Sequence, residues 1–562
     1  MNQLTWNIRG GETGEIGDQD KLLEVLLSTR NVSADARESF FAPSYADTIH
    51  NPHDLYDMDR AAERVMRAVK NKERILVYGD YDADGICSTA IMVSVLSDIG
   101  ANVIPFLPHR YDDGYGVSGA ALTRMQAEFD LLITVDCGVS NAAEIAALKD
   151  AGKDAIIVDH HEIPKVLPEA FAILHPRHPK GSYGWGHLCG AGTAWKFAQA
   201  LLRHPDSPYT KDPDREKWLL DLAMIGTVAD VMPLLGENRA IVHFGKQVLP
   251  ITRRLGLAAL FQESRINPTS FSAEDIAFRI VPLLNAAGRI GHPQSALNAL
   301  LASTAEEARV AVKALVSLNT QRRAVSKSIV DDAMAQVDPS LPFVFVANTD
   351  WPAGIVGLVA GRLATTFAKP AFVVGGVPNA THGVGSARSG GGASVLQALE
   401  TVRTHTMKLG GHSGAAGFSV MPENFKKMQE GLHEYFIARQ SLGDGGSEPM
   451  HHADAHISQY LVSWEVAHML DKFEPFGEAN PRPVFMIKGL RVFEMRTVGK
   501  QNDHIKAKML VGDREIDAIG FGLGEKAKKL PETVDVLASI GVNAFRGRES
   551  LELRLVDVVA AQ

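Results

Sequence analysis

The chain has 562 residues, of which 45% are hydrophobic and 22% charged, a composition that supports several ordinary globular domains with sizeable cores. A formal net charge of −9 argues against a protein that coats nucleic acid by bulk attraction, while leaving room for a local basic groove. Cys87, Cys137 and Cys189 form no close-spaced pair, which speaks against a thiolate zinc site or a disulfide framework and for a reducing, cytoplasmic setting; Met1 to Gly10 lacks the apolar core of a signal peptide, and no run approaches the roughly 20 apolar residues of a membrane span.

From Arg74 to His175, apolar β-branched runs alternate with helical segments. Residues 75–77, 103–104, 131–135 and 155–158 read as strands, and 86–99 and 141–150 as helices between them. Continuous rather than alternating apolarity implies burial on both faces, hence a parallel α/β sheet. Ligands of such sheets gather beyond the carboxyl ends of the strands. Asp80, Asp82, Asp84, Asp136, Asp159, His160 and His161 all follow one of these runs.

Residues 216–228 read as a helix, or a strand–helix junction, leading to Asp230. A mostly helical stretch follows. Thr304 and Glu307 fit a capping box, and Ala308, Val312, Leu315, Leu318, Val325 and Ile329 recur at helical spacing until Asp338 and Pro339 stop the pattern. A helix of about 30 residues is long for a globular domain and suits a bridge between two lobes. A second α/β region begins at 343–346 and contains two glycine-rich turns, over 383–392 and 410–417. Residues 441–449 have linker composition. Beyond Asp454 the pattern turns β-like: Ile505, Ala507 and Met509 alternate with Lys506 and Lys508, and Leu551, Leu553 and Leu555 with Glu552 and Arg554. Short alternating strands here predict a small barrel or sandwich.

Asp80, Asp82 and Asp84, followed by Gly85, repel one another unless cations neutralise them. A solvated acidic loop is the bland alternative. A second strand ending in Asp136 and a third ending in Asp159-His160-His161 favour a metal centre over it. Successive side chains of an extended segment diverge, so one histidine of the pair is expected to bind metal and the other to face the substrate, with Asp159 orienting an imidazole; a capped or hydrogen-bonded structural residue is the alternative for either, above all for His161. Asp230 taken alone fits a helix cap as well as a ligand. Carboxylates mixed with imidazole suit Mn²⁺ or Mg²⁺ and the hydrolysis of phosphates. The run from Gly410 to Gly417 presents backbone N–H groups and His412 to an anion, and Ser386 with Arg388 presents a hydroxyl beside a guanidinium; tight turns between packed elements are the alternative. Between Lys488 and Leu510 six Lys or Arg face two acidic residues, with Phe493 interleaved, which fits a single-strand-binding groove as well as a solvated strand face. His451, His452 and His456 read as solvated.

Taken in order, these motifs resemble the DHH phosphoesterase superfamily. Gly79 to Gly85 resembles its first motif, Val135 to Gly138 its second, Asp159-His160-His161 the motif that names it, and Gly226 to Asp230 its fourth. Pro108 to Arg110 with Gly114 to Gly116, Asn285 to Arg289, Trp351 to Gly357 and Gly411 to Gly417 extend the resemblance to the bacterial RecJ family of single-strand-specific exonucleases. That resemblance implies an N-terminal segment (1–50), a DHH catalytic domain (51–235), a helical connector (236–340), a DHHA1-type substrate-binding domain (341–440), a linker (441–453) and an oligonucleotide-binding (OB) β-barrel (454–562).

It also implies two divalent ions, Mn²⁺ or Mg²⁺, one served by Asp80, Asp82 and Asp136 and the other by Asp84, Asp136, His160 and Asp230. Tyr78 stands where some relatives carry a histidine. Arg110, Arg289, Ser386, Arg388, Gly411 and His412 are implied to hold phosphates of the strand, and Asp136 and His161 to take part in the chemistry. The implied activity is 5′→3′ digestion of single-stranded DNA to 5′-mononucleotides in DNA repair and recombination, by a monomer partnered with single-stranded-DNA-binding protein and a helicase and not attached to a membrane. A phosphodiesterase of short oligonucleotides or cyclic dinucleotides, and a non-catalytic replisome scaffold, are the alternatives. The barrel-like tail disfavours the first and the complete set of acids and histidines the second.

Overall fold

β1 (Arg74–Tyr78), β2 (Asn102–Phe106), β3 (Leu131–Val135), β4 (Asp154–Val158) and β5 (Ala172–Leu174) form a five-stranded parallel sheet in the order β2-β1-β3-β4-β5. Every residue of β3 is buried, as its unbroken apolar run requires of a central strand covered on both faces. Pro105 falls on the edge strand β2, where a missing N–H interrupts no interior ladder. The computed structural model describes residues 6–9, 14–114, 116–212, 214–377, 380–441, 451–499, 501–527, 530–545 and 548–561. Residues 442–450 of the expected linker, Tyr115 and Lys500 lie outside the described residues.

Three helices pack together behind the acid-bearing strand ends: α1 (Ala83–Asp98), α2 (Gly190–Arg203) and α3 (Leu220–Ala229). Ile86, Ala90, Ile91, Val95 and Leu96 are buried together with Asp84, Ser88 and Thr89, so α1 is covered nearly all round, as a core helix is. The connector comprises α4 (Gly236–Val248), α5 (Val281–Ile290), α6 (Gln294–Leu300) and α7 (Ala305–Gln336) among other helical segments. Thr304 and Glu307 close the expected capping box at the start of α7, which runs 32 residues and packs against α5, α6 and the following helix α8 (Ala353–Phe367). Ala308, Val312, Leu315 and Ile329 are buried, while Leu318 and Val325 are half-buried.

The second sheet has the order β9-β10-β8-β7-β6, from β6 (Val344–Pro352), β7 (Ala371–Gly376), β8 (Gly383–Arg388), β9 (Thr406–Gly411) and β10 (Ala415–Val420). β6 and β7 are parallel and the other pairings antiparallel. The glycine-rich stretch beginning at Gly383 is therefore not a turn over its first half: 383–388 is an interior strand. Its glycines make room rather than bend the chain, since a Cβ on Gly385 would stand 2.1 Å from the Phe418 ring. This alternation buries Gly383, Gly385 and Ala387 and leaves Val384, Ser386 and Arg388 half-buried on the other face.

These elements belong to a unit made of Ile49–Met232 and Glu237–Glu448; a separate unit combines Met1–Thr48, Pro233–Gly236 and Pro449–Gln562. In the second of these, β11 (Phe485–Val498), β12 (His504–Val511), β13 (Arg514–Gly520), β14 (Thr533–Phe545) and β15 (Arg548–Ala560) run in the order β12-β13-β15-β14-β11, and β12 also pairs with β11, which closes a barrel. The strands are longer than the short ones expected, 14 residues in β11 and 13 in each of β14 and β15. Residues 455–457 and then 15–16 extend this sheet beyond β11, so the N-terminal segment shares a core with the barrel through Ile16, Leu22 and Leu26.

Candidate metal centre

The acids lie where β1, β3 and β4 end. Asp80 follows β1 and accepts the N–H of Tyr81 at 2.8 Å. Asp82 caps α1, one oxygen taking the N–H groups of Asp84 and Gly85 at 3.0 and 3.1 Å. Asp84 therefore enters the first turn of the helix and is 2% exposed. Asp136 follows β3 in the left-handed region, at φ 60°, a conformation an aspartate tolerates but one that stores strain. Asp230 ends α3, and the next residue, Val231, is also left-handed at φ 54°, which is unusual for a β-branched side chain.

Asp159, His160 and His161 end β4 and divide their roles. Asp159 turns inward, accepting the N–H of Val139 at 2.9 Å on one oxygen and, on the other, His160 N at 2.7 Å, His161 N at 3.1 Å and His161 Nδ1 at 2.8 Å. The Nε2 of His160 lies 3.1 Å from Asp136, 3.6 Å from Asp230 and 3.8 Å from Asp84. Three groupings of potential ligand atoms result, each within 4.8 Å: Asp80, Asp82 and Asp136; Asp84, His160 and Asp230; and Asp136, His160 and His161.

Burial, and then the neighbouring carboxylates, push Asp80 up to about 7, Asp84 to about 6 and Asp230 to about 8, and drive Asp136 well above the usual carboxylate range. Burial and the adjacent His161 hold His160 down at about 3, so its imidazole is neutral, as a ligand must be. For His161 burial works against the charge, but the Asp159 hydrogen bond and charge prevail and raise it to about 9. Asp159 itself is held below its ordinary value by that bond, against the cost of burial. Among the described residues, Asp136 Oδ1 and His160 Nε2 are buried atoms with no hydrogen-bond partner, although they face each other. Buried polar atoms are ordinarily paired, and two unpaired polar atoms beside further acids fit a shared cation.

Tyr78 takes no part in these groupings. Its hydroxyl donates to Gly116 O and accepts Ser118 N, both at 3.1 Å, which holds the 116–118 loop against the sheet.

The basic residues fall into two sets. Arg110 stacks over the Tyr81 ring at 3.9 Å and donates to Gly288 O at 3.0 Å; Arg289 donates to Gly354 O at 3.1 Å. Burial, then Arg110 and Arg322, lower Arg289 to about 10. The Asn285–Arg289 motif also serves the acid loop directly: Asn285 accepts Ala83 N at 2.8 Å, and a Cβ on Gly288 would stand 2.2 Å from Tyr81 O. Ser386 and Arg388 form their own pair on β8, Nη1 to Oγ at 2.7 Å. Gly411 and the exposed His412 lie at the turn between β9 and β10, Gly411 at φ 141° and His412 N donating to Ala415 O at 2.7 Å.

Sequence motifs alone pass over Arg322 and over the pair Gly190 and Ala191. Arg322 sits on α7, where it reads as one more solvated helix charge; the structure half-buries it, with its Nε on Asn319 at 3.0 Å. Gly190 and Ala191 open α2 and act through backbone N–H groups, for which Cys189 to Gly192, a capping residue ahead of small ones, is the only signal.

Comparison with known proteins adds three family models in chain order: the DHH family N-terminal domain over residues 74–227, the DHHA1 domain over 341–438 and the RecJ OB domain over 453–557. The single-stranded-DNA-specific exonuclease RecJ of Bacillus subtilis is 31% identical over 100% of this chain and 71% of its own length. Crystal structures of RecJ from Thermus thermophilus match as well, in complex with Mn²⁺ (TM-score 0.80, 29% identity, 96% of this chain and 76% of that one) and with Mg²⁺ (TM-score 0.75, 28% identity, 96% and 75%). The chain belongs to the RecJ family of single-stranded-DNA-specific exonucleases, built on the DHH catalytic domain.

Proposed function

We propose that this chain is a metal-dependent exonuclease that digests single-stranded DNA from its 5′ end, releases 5′-mononucleotides and acts in DNA repair and recombination. The observation that carries this reading is the buried cup of four raised carboxylates around the unpaired Nε2 of His160. Its donor set fits two divalent ions, Mn²⁺ or Mg²⁺. Asp80, Asp82 and Asp136 would hold one ion, and Asp84, Asp136, His160 and Asp230 the other. Ions bound there would supply Lewis-acid charge to a scissile phosphate and would lower the pKa of water toward neutrality.

The protein's own groups do the rest. Protonated His161, fixed through Nδ1 by Asp159, offers its Nε2 proton to a phosphate oxygen or to the departing 3′-oxygen. Arg110 and Arg289 bring fixed positive charge beside the acid loop and grip phosphates. Ser386, Arg388, Gly411 and His412 offer hydroxyl, guanidinium, backbone and imidazole donors to the strand from the second lobe. The barrel offers stacking and charge: Phe493 is 53% exposed, Arg491 lies over its ring at 5.6 Å, and Lys506 projects from the neighbouring strand.

We assign the working form to a cytoplasmic monomer that meets single-stranded-DNA-binding protein and a helicase. Three free, buried thiols suit a reducing compartment. Among the described residues no helix is long and apolar enough to cross a membrane.

The test is digestion of end-labelled single and double strands of each polarity, with manganese and with chelator, by the native chain and by Asp136→Ala. Mononucleotide release from 5′-phosphorylated single strands is expected only with metal and only from the native chain. Near-native release by Asp136→Ala would overturn the mechanism.

A further inference from the structure

Asp84 is held from outside its own helix. Its two oxygens accept Gly190 N at 2.7 Å and Ala191 N at 2.9 Å, from the first turn of α2. These N–H groups have no intrahelical partner at a helix start, and the helix dipole there favours a negative charge. Cys189 completes the turn, its Sγ accepting Gly192 N at 3.3 Å and its carbonyl taking both N and Oγ1 of Thr193 at 2.9 Å.

The third wall is α3. A Cβ on Gly226 would stand 2.4 Å from Asp84 Oδ1 and 2.4 Å from the Ala191 methyl. A Cβ on Gly190 would stand 2.5 Å from both Cβ and Oδ1 of Asp136. The smallness of Gly190 and Gly226 is thus imposed by the carboxylates of two different acids, one after β1 and one after β3. Cys189 Sγ and Thr227 Oγ1, 3.7 Å apart, join α2 to α3 behind them.

We propose that the first turn of α2, closed by Gly226 of α3, is the positioning device of the metal centre: it sets the rotamers of Asp84 and Asp136 before any ion arrives. The proposal rests on the metal-dependent reading above and adds residues that touch neither ion nor strand. An aspartate carboxylate otherwise turns about both its side-chain torsions, and groups that fix a ligand's orientation typically contribute about 10–100-fold to metal affinity.

Ala191→Pro removes one N–H from Asp84 at a first-turn position where proline costs the helix no hydrogen bond. Gly226→Ala presses on the same oxygen from the opposite side. Ala191→Ser keeps the N–H and is the conservative control. Mn²⁺ binding to the full chain is measured by the electron paramagnetic resonance of free Mn²⁺, beside the melting temperature of the metal-free protein and the Mn²⁺ concentration for half-maximal exonuclease activity.

Ala191→Pro and Gly226→Ala are expected to weaken Mn²⁺ binding about 10–100-fold, to shift half-activation by the same factor and to recover most activity at high Mn²⁺, with Ala191→Ser near native. Folded Ala191→Pro or Gly226→Ala protein that binds Mn²⁺ like the native chain overturns the proposal and leaves the metal centre standing. A native chain that binds no Mn²⁺ removes both. Should Ala191→Pro not fold, Gly226→Ala decides.

Discussion

Two buried ionic clusters sit in the same unit of the chain and differ in one respect. Around Glu237 every charge is answered: Lys196 Nζ lies 2.5 Å from Oε1, His50 N reaches Oε1 at 3.0 Å, His50 Nδ1 lies 3.0 Å from Oε2, and Tyr183 OH donates to Oε2 at 2.6 Å. Burial raises Glu237, but His50 and Lys196 outweigh it and hold the carboxyl below its ordinary value. In the acidic cup the carboxylates face one another, burial and mutual repulsion raise Asp80, Asp84, Asp136 and Asp230, and two atoms stay orphaned. A balanced cluster closes on itself and fixes the fold. An unbalanced one is kept at a cost to stability because something else completes it.

The largest effect that would sharpen this contrast comes from Asp136→Asn. Asparagine tolerates the left-handed backbone at this position and carries no charge. Loss of several kcal/mol of transition-state stabilisation predicts a fall in exonuclease rate of about a thousandfold or more. The same substitution relieves repulsion in the metal-free protein, so its melting temperature should rise above that of the native chain. A metal-free variant that melts lower would place Asp136 with the structural charges.

Lys196→Met tests the other cluster. Removing one partner of a buried pair typically costs about 3–5 kcal/mol. Glu237 would keep His50 and Tyr183, so about 3 kcal/mol is expected in chemical denaturation, with Mn²⁺ affinity unchanged. A tenfold loss of affinity would show that the two clusters are not independent.

The same distinction explains what the amino-acid sequence reveals. Asp80, Asp136 and Asp159 each end an apolar run, and a parallel sheet brings such ends together, so the cup is legible from pattern. The pairing of 15–16 with 455–457 is not, because strands this short carry no period and their partner lies more than four hundred residues away along the chain. Gly385 looks like a turn residue when only its conformational freedom is considered; the Phe418 ring that demands the space is visible only in three dimensions. Nor do Gly190 and Ala191 show themselves, since backbone donors leave no side-chain signature.

Acidity separates the clusters next. Asp80, Asp84 and Asp230 have folded values raised to about 7, 6 and 8, above those of an unfolded aspartate, so the metal-free fold binds extra protons and loses stability as pH rises through that range. His161, raised to about 9, adds in the same direction: its contribution is complete below the unfolded value of about 6.5 and is lost as pH climbs through the folded one. The melting temperature of the metal-free protein should therefore fall between pH 5 and 9, and Mn²⁺ should flatten or reverse the slope. Nuclear magnetic resonance of His161 should show its titration drop by at least one unit when Mg²⁺ binds, about 1.4 kcal/mol of coupling. A histidine that titrates identically with and without Mg²⁺ would put it outside the reach of the ions.

The smallest effect concerns Tyr78, which the family pattern sets beside the first ion and the structure sets beside a loop. Its hydroxyl bridges Gly116 O and Ser118 N from a fully buried ring, and burial raises its ionisation beyond reach of any ordinary pH. Tyr78→Phe leaves those two backbone groups without their partner, for an expected loss of about 1 kcal/mol in denaturation. The Mn²⁺ midpoint for activity should not move, because the ring packs toward Phe106 and the ligand atoms of Asp80, Asp82 and Asp136 are already within 4.8 Å of one another. A midpoint displaced tenfold by so small a change would mean that the phenol reaches the acids, and the line between satisfied and unsatisfied groups would have to be redrawn through Tyr78.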